Sequence, residues 1–475
     1  MYLQQQSFLV LGLSRSGTAA AEYLLENKAK VYLYDDLDGE NIRVARKKLE
    51  DLGAKSLLKE ALSQSVEYCD GLVVSPGIPI DHPLAILYKR NKKAVLGETE
   101  LAARALKCPC IAVTGTNGKT TTVSMLAKIF TEAGEKAVAC GNIGAPMIGL
   151  WREEPSVAVA EISSFQLETL NSFRPHVAVI LNISEDHLSR HYTMENYVFL
   201  KRKLLKNLTE TEFAVLNYDD NVVREFAERT KARVVWFSTR ERVNGAYLEN
   251  GELHYNGERI LASQELLLSG LHNLQNALAA VAVAKLFGLS TESILGSLSS
   301  FKGVKHRIEE VGVFDGVTYV DDSKGTNVDA TLKAVACMRS DTVLLLGGKD
   351  KGYEYRSLFS GLKTSKVVAA VLYGENRYKL LAAARETGFE PLTVCGKFTE
   401  ALSIARTIAR KGQTVLLSPA SASFDEFTGY EERGDRFVET VKEYGSHAER
   451  KRVAKPEPVA TEKRQRGKAT EEKQG

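Results

Sequence analysis

No apolar run in this 475-residue chain approaches the ~20 residues that cross a bilayer, and the first six residues lack the basic segment and apolar core of a secretion signal. A cytoplasmic protein without a membrane segment is expected. Cysteine is sparse: six are scattered at 69, 108, 110, 140, 337 and 395, and the Cys108-Pro-Cys110 pair has neither zinc nor thioredoxin spacing. Reduced, mostly buried thiols are expected. Charge of one sign is missing too, since the net +3 combines +4 in residues 446–475 with −1 in everything before them. So neutral a body offers no electrostatic footprint for nucleic acid. There is no internal repeat of solenoid length, and 44% apolar with 26% charged residues is ordinary globular composition. The length allows about three domains of ~150 residues.

What the chain does have is an alternation of β-branched runs with helical patterns, which makes the fold class α/β, parallel sheets covered by helices. Residues 1–97, with strand patterns at 7–13, 30–34 and 71–75 and a helix at 15–27, form a small Rossmann-like domain. Residues 98–302 open on a helix at 98–106, followed by a strand at 111–114, a helix from Lys119 and strands at 157–161 and 177–182. This is a central P-loop ATPase-type domain with a mostly parallel sheet. Its Asn250-Gly251 and Asn256-Gly257 pairs predict a small antiparallel excursion over 245–260. Residues 303–445, with strands at 317–320, 343–346, 367–372 and 415–417, make a second Rossmann-like domain. From 446 the apolar periodicity stops, and a disordered charged tail over 446–475 is expected.

The most informative segment is Gly115-Thr116-Asn117-Gly118-Lys119-Thr120-Thr121, set between an apolar strand and a helix. Successive backbone N–H groups and the helix N-terminus can surround a polyphosphate there. Lys119 would bridge the β and γ phosphates and Thr120 would ligate Mg²⁺. Only the Gly-Lys-Thr half of the full Walker spacing is present, because position 113 is Val. Downstream, Glu161 ends one strand pattern and His187 follows another, so both sit where ligands collect at the C-terminal edge of a parallel sheet. Either alone reads as a capping carboxylate or a loop histidine; together, behind a phosphate loop, they suit a metal ion.

Near the start, Gly12-Leu13-Ser14-Arg15-Ser16-Gly17 follows the first strand, but the middle glycine of a dinucleotide fingerprint is absent, so NAD is not implied. Asp35 and Asp36 end the second strand at about the distance of a ribose or base contact. A tight turn accounts for these residues equally well.

From the phosphate loop outward, residues 1–445 resemble the Mur ligases of peptidoglycan synthesis, in which Gly-Thr-Asn-Gly-Lys-Thr-Thr is a hallmark. The likeness is greatest to those that join D-glutamate to UDP-N-acetylmuramoyl-L-alanine. That resemblance implies a role for each of several residues. Ser14, Arg15, Ser16, Gly17, Asp35, Asp36, Ser75, Gly77, Asn142, Ser163 and His187 would meet the UDP-sugar substrate. The phosphate loop, Asn273, Asn276, Arg307 and Asp322 would meet ATP, and Thr326, Lys351, Ser423 and Tyr430 would meet D-glutamate. Tyr430 stands where relatives can carry Phe. Lys119, Glu161, His187, Lys201, Arg307 and Lys324 would be the catalytic set, with Arg307 acting like an arginine finger supplied in cis. Thr120, Glu161, His187 and Lys201, the last carbamylated by CO₂, would hold two Mg²⁺ ions. By residue chemistry alone, Lys201-Arg202-Lys203 is only a basic helical turn.

The expected activity is therefore an ATP-dependent carbon–nitrogen ligase working through an acyl phosphate, monomeric and free of nucleic acid and membrane. Three rivals stand beside it. Another ligase of the superfamily would use L-alanine, a diamino acid, a dipeptide or a folate; a regulatory protein would bind nucleotide without catalysis; a dehydrogenase would use NAD.

Overall fold

The structure, a computed structural model, describes residues 3–268 and 270–453, of which 445–453 by backbone alone. Three sheets follow one another along the chain. The first is wholly parallel, in the order Lys55–Ser56, Lys30–Tyr34, Ser7–Leu11, Gly71–Val74, Ala94–Leu96. Its first strand lies in the middle, so the chain crosses first to one side and then to the other, leaving a crevice beyond Leu11. The loop entering that crevice needs glycine twice. Gly12 has φ +90°, and a Cβ on Gly17 would stand 1.9 Å from the Gly12 carbonyl oxygen.

The central sheet has nine strands, and its functional part is a parallel triplet with Cys110–Thr114 between Val157–Glu161 and Val177–Ile180. Each runs as an unbroken buried stretch, the pattern of strands covered on both faces. Their C-terminal ends deliver the phosphate loop, Glu161 and the segment leading to His187 to one edge. Phe213–Asn217, Arg233–Ser238 and Gly245–Glu249 extend the sheet in parallel, and Glu252–Tyr255 and Glu258–Ala262 close it antiparallel. The two Asn-Gly turns adopt positive φ at both residues, 52° and 79°, then 48° and 93°, as a tight hairpin requires. One face is covered by Lys119–Glu132 and by Leu271–Leu286, whose residues 277–284 are buried all round.

The third sheet runs Glu309–Phe314, Val317–Asp321, Thr414–Leu417, Thr342–Gly347, Val367–Tyr373, Leu392–Val394. Its first strand is antiparallel and the rest are parallel. That edge strand is absent from the sequence-based expectation, because its residues are half-buried or exposed and the apolar alternation is weak. Phe213–Asn217 and Arg233–Ser238 are absent from it too. The last helix, Tyr430–Val453, carries the backbone past residue 446; the remainder of the expected tail lies outside the described residues. The six cysteines are free, four of them buried. Among the described residues no helix is long and apolar enough to cross a membrane.

Candidate active site

The strand Cys110–Thr114 runs into the loop 115–118, and Lys119 is the first residue of the following helix. Gly118 has φ +89°, and a Cβ there would lie 2.3 Å from Asn276 Oδ1, so glycine is required by conformation and by the neighbouring helix. Asn276 in turn accepts from Thr122 Oγ1 at 3.3 Å and donates to Asn273 Oδ1 at 3.4 Å. Thus Asn276, expected to meet nucleotide, packs beside Gly118 and bonds the helix that follows the phosphate loop, with Asn273 as its acceptor. Lys119 Nζ donates to the carbonyl oxygens of Gly115 and Thr116 at 2.8 Å each, which holds the ammonium over the loop. Burial lowers its pKa, Arg307 adds to that, and Glu161 and Asp186 oppose it.

Glu161 is fully enclosed at the neighbouring strand end. It accepts from Thr120 Oγ1 at 2.7 Å and from Asn142 Nδ2 at 2.8 Å. Burial opposes its ionisation, but the Lys324 and Lys119 cations and those two donors hold its carboxyl below the usual range. A hydroxyl and an ionised carboxylate so placed are hard oxygen donors that suit Mg²⁺. Asn142, expected against substrate, here orients this carboxylate.

His187 has φ +55° and packs against Phe165 at a tilt of 60°, ring centroids 4.8 Å apart. Burial, reinforced by Lys351, Lys119 and Lys201 and opposed by Asp186, takes it down to about 4, so the imidazole is neutral at pH 7 and keeps a lone pair. Lys201 departs most from its local sequence. Instead of a solvated basic turn it is 1% exposed, with Nζ donating to Gly115 O at 2.8 Å and Thr114 Oγ1 at 3.2 Å and packed against the Tyr197 ring. Burial and the nearby Lys119 push its pKa well below the ordinary lysine value.

The third sheet faces this edge. Arg307, between the positive-φ residues His306 and Ile308, has a buried Nε without a hydrogen-bond partner among the described residues. It lines a cleft of about 680 Å³ with Thr121, His272, Asn273 and Cys337, between the central helix 271–286 and the third sheet. An orphaned buried guanidinium donor beside a phosphate loop fits an anionic ligand in that cleft. Asp322 accepts from Ser418 Oγ at 2.7 Å, and burial raises it to about 7 despite Arg307. Lys324 Nζ donates to Tyr430 Oη at 3.0 Å; burial lowers it to about 8, with Arg307 and Lys119 adding and Glu161 opposing. Lys351 Nζ donates to Thr326 Oγ1 at 3.4 Å, and Ser423 is buried at a turn before the last helix.

Three residues without a motif in the sequence join the sheets. Asp186 accepts from Tyr353 Oη and from Asn327 Nδ2 at 3.2 Å, with Lys351 Nζ 3.9 Å away. Asp329 accepts from Asn117 Nδ2 and from Ser184 Oγ at 3.2 Å, and it pairs with Lys333. Adjacency of Asp186 to His187 is the only local signal; Tyr353 and Asp329 have none.

Several expected UDP-sugar residues are tied up in turn chemistry. Asp35 accepts from the Leu13 and Leu37 N–H groups at 2.6 and 2.9 Å, and Ser75 Oγ donates to Gly12 O at 2.9 Å. Ser163 and Gln166 form a capping box on Ser164–Glu168. Ser14 is the N-cap of the helix Arg15–Glu26, so Arg15, Ser16 and Gly17 make its first turn. Arg15 donates to Gly144 O at 3.3 Å, Asp36 accepts from Tyr34 Oη at 3.0 Å, and Gly77 lies in the loop after Gly71–Val74.

Comparison with known proteins identifies relatives along most of the chain. The Mur ligase middle domain matches residues 113–284 and the Mur ligase glutamate ligase domain matches residues 306–421. A UDP-N-acetylmuramoylalanine--D-glutamate ligase of Pelotomaculum thermopropionicum is 43% identical, covering 92% of this chain and 97% of its own. That of Thermoanaerobacter sp. is 40% identical, covering 93% and 99%. Among solved structures, the UDP-N-acetylmuramate-alanine ligase MurC of Thermotoga maritima superposes with TM-score 0.59 at 19% identity, covering 93% of this chain and all of its own. The MurF ligase of the same organism in complex with ADP gives 0.58 at 15%, covering 94% and 96%. With a phosphate loop, a carboxylate and a buried lysine on one sheet edge, and relatives of this identity along its length, the chain belongs to the Mur ligase family.

Proposed function

We propose that this chain is an ATP-dependent amide ligase that adds D-glutamate to UDP-N-acetylmuramoyl-L-alanine, in the cytoplasm where ATP is supplied. The observation that carries the reading is the gathering of Lys119, Lys324 and Arg307 around Glu161 and the phosphate loop. In the first step a carboxylate oxygen of the L-alanyl group attacks the γ-phosphorus, the bond to the β-bridging oxygen breaks, and ADP leaves. Two anions must meet, and the three cations offset their repulsion. The D-glutamate amine then attacks the acyl phosphate carbonyl. The tetrahedral species collapses with loss of a proton from nitrogen and of phosphate from carbon, leaving an amide, and no protein nucleophile is needed.

Mg²⁺ would be held by Thr120 and Glu161 with His187 and a carbamylated Lys201, and when bound it neutralises phosphate charge. Lys201 suits carbamylation because burial favours the neutral amine, the form that reacts with CO₂. The mass of the peptide containing Lys201, taken from protein held in bicarbonate, is expected to include one added CO₂. An unmodified mass, with full activity in Lys201→Ala, removes that assignment. For the acceptor, two carboxylates call for cations and short donors, which Lys351, Thr326 and the Ser423 turn supply, with Tyr430 beside Lys324. The test is ADP release in the presence of UDP-N-acetylmuramoyl-L-alanine with D-glutamate, L-glutamate or L-alanine. Stimulation by D-glutamate alone is expected; better stimulation by L-alanine overturns the acceptor.

A further inference from the structure

We infer that Arg190 is a positioning residue that fixes the register between the nucleotide-sugar half-site and the phosphoryl-transfer half-site, an inference that rests on the proposed substrate. Its guanidinium, mostly buried, reaches from the segment after His187 to the loop after Gly71–Val74. There Nη2 donates to Ile78 O at 2.8 Å and Pro76 O at 3.4 Å, and Nη1 to Gly77 O at 3.2 Å. Glu168 holds the same guanidinium from behind, accepting from Nε at 3.0 Å and from Nη2 at 2.6 Å, and the Phe165 ring lies 5.0 Å beneath it.

The placement makes this more than a surface ion pair. On the far side of the clamp, Ser75 and Gly77 are the expected sugar-nucleotide residues. On the near side, Ser163 caps the helix that carries Phe165 and Glu168, and His187 precedes Arg190 by three residues. The two units also meet through an apolar seam where Tyr23 packs on Trp151, ring centroids 5.6 Å apart. Apolar contact is non-directional and tolerates sliding. Three carbonyls of one loop read by one planar fork do not, and lysine, a point charge on a flexible stem, cannot reproduce the fork. A substrate that spans both units would be presented in register only while the clamp is made, since small misplacements at a reacting centre are costly.

The experiment is steady-state kinetics of Arg190→Ala, Arg190→Lys and Glu168→Gln beside wild type, varying each substrate in turn, with thermal midpoints measured in parallel. The expected result is a KM for UDP-N-acetylmuramoyl-L-alanine raised about tenfold or more in both Arg190 variants and less in Glu168→Gln. The KM for ATP should be unchanged, while the midpoint falls in Arg190→Ala, which leaves the buried Glu168 carboxylate unpaired, and is better kept in Arg190→Lys. An unaltered KM for the nucleotide-sugar, or a parallel rise in all three KM values, overturns the inference. Wild-type protein that releases no ADP indicts the proposed reaction instead.

Discussion

At the scale of single residues, environment decides what a side chain can do. Lys201 reads locally as one of three adjacent cations, yet the fold puts its amine against Gly115 O and Thr114 Oγ1, with no carboxylate bonded to it among the described residues. Nothing in residues 197–203 reports that burial, so only resemblance points to it. Lys119 is legible because a lysine directly after a glycine, between strand and helix, has little use there except to meet phosphate. Asp186 and Tyr353 are not legible, since they are 167 residues apart and meet only when two sheets face each other. Lys201→Ala should lower kcat by about 10–100-fold; wild-type turnover would contradict its place in the site. Tyr353→Phe keeps the ring but leaves Asp186 short of a donor and Lys351 without the phenol oxygen 3.3 Å from it. Loss of a hydrogen bond to a buried charge costs about 1.5–3 kcal/mol, so the KM for D-glutamate should rise about 10- to 150-fold with the KM for ATP unchanged. Equal effects on both would place Tyr353 outside the acceptor site.

At the scale of elements, strand ends and first turns carry the chemistry. The strands covered on both faces are readable from their continuous β-branched runs. The half-exposed edge Glu309–Phe314 is not, because partial burial blurs the period that sequence reading depends on. Gly118→Ala would force a Cβ into Asn276 from a left-handed residue, at a cost of about 1–3 kcal/mol, and should lower both the thermal midpoint and ATP affinity. An alanine variant with normal ATP binding would contradict the role of that turn. Glu98, the first residue of Glu98–Ala105, is buried and accepts from Ile148 N at 2.6 Å and Thr99 Oγ1 at 3.2 Å. Burial raises its pKa to about 7, above the ordinary carboxylate value. The folded state therefore binds the proton more tightly. Its contribution is fully present below about pH 4.5 and is lost as the pH rises through about 7. Glu98→Gln cannot ionise, so its stability relative to wild type should climb by up to about 1.4 kcal/mol per pH unit between about pH 5 and 7. Denaturant melts at three pH values check this, and a constant difference would contradict it.

At the scale of the whole molecule, three sheets bring their C-terminal edges to one place, and the polar contacts between them are the parts that no local pattern encodes. Asn117 with Asp329, Tyr353 with Asp186, and Arg190 with the 76–78 carbonyls each cross from one sheet's territory to another's. The order of domains is legible because each carries its own strand–helix alternation; their mutual register is not, because it is written in pairs of distant residues. Above all, the proposed function requires that the cations around the phosphate loop allow one anion to phosphorylate another. The direct measurement uses UDP-N-acetylmuramoyl-L-alanine carrying ¹⁸O in the alanyl carboxylate, with ATP, Mg²⁺ and D-glutamate. An ¹⁸O atom carried from the carboxylate into the released inorganic phosphate is predicted, and phosphate free of the label would contradict that chemistry.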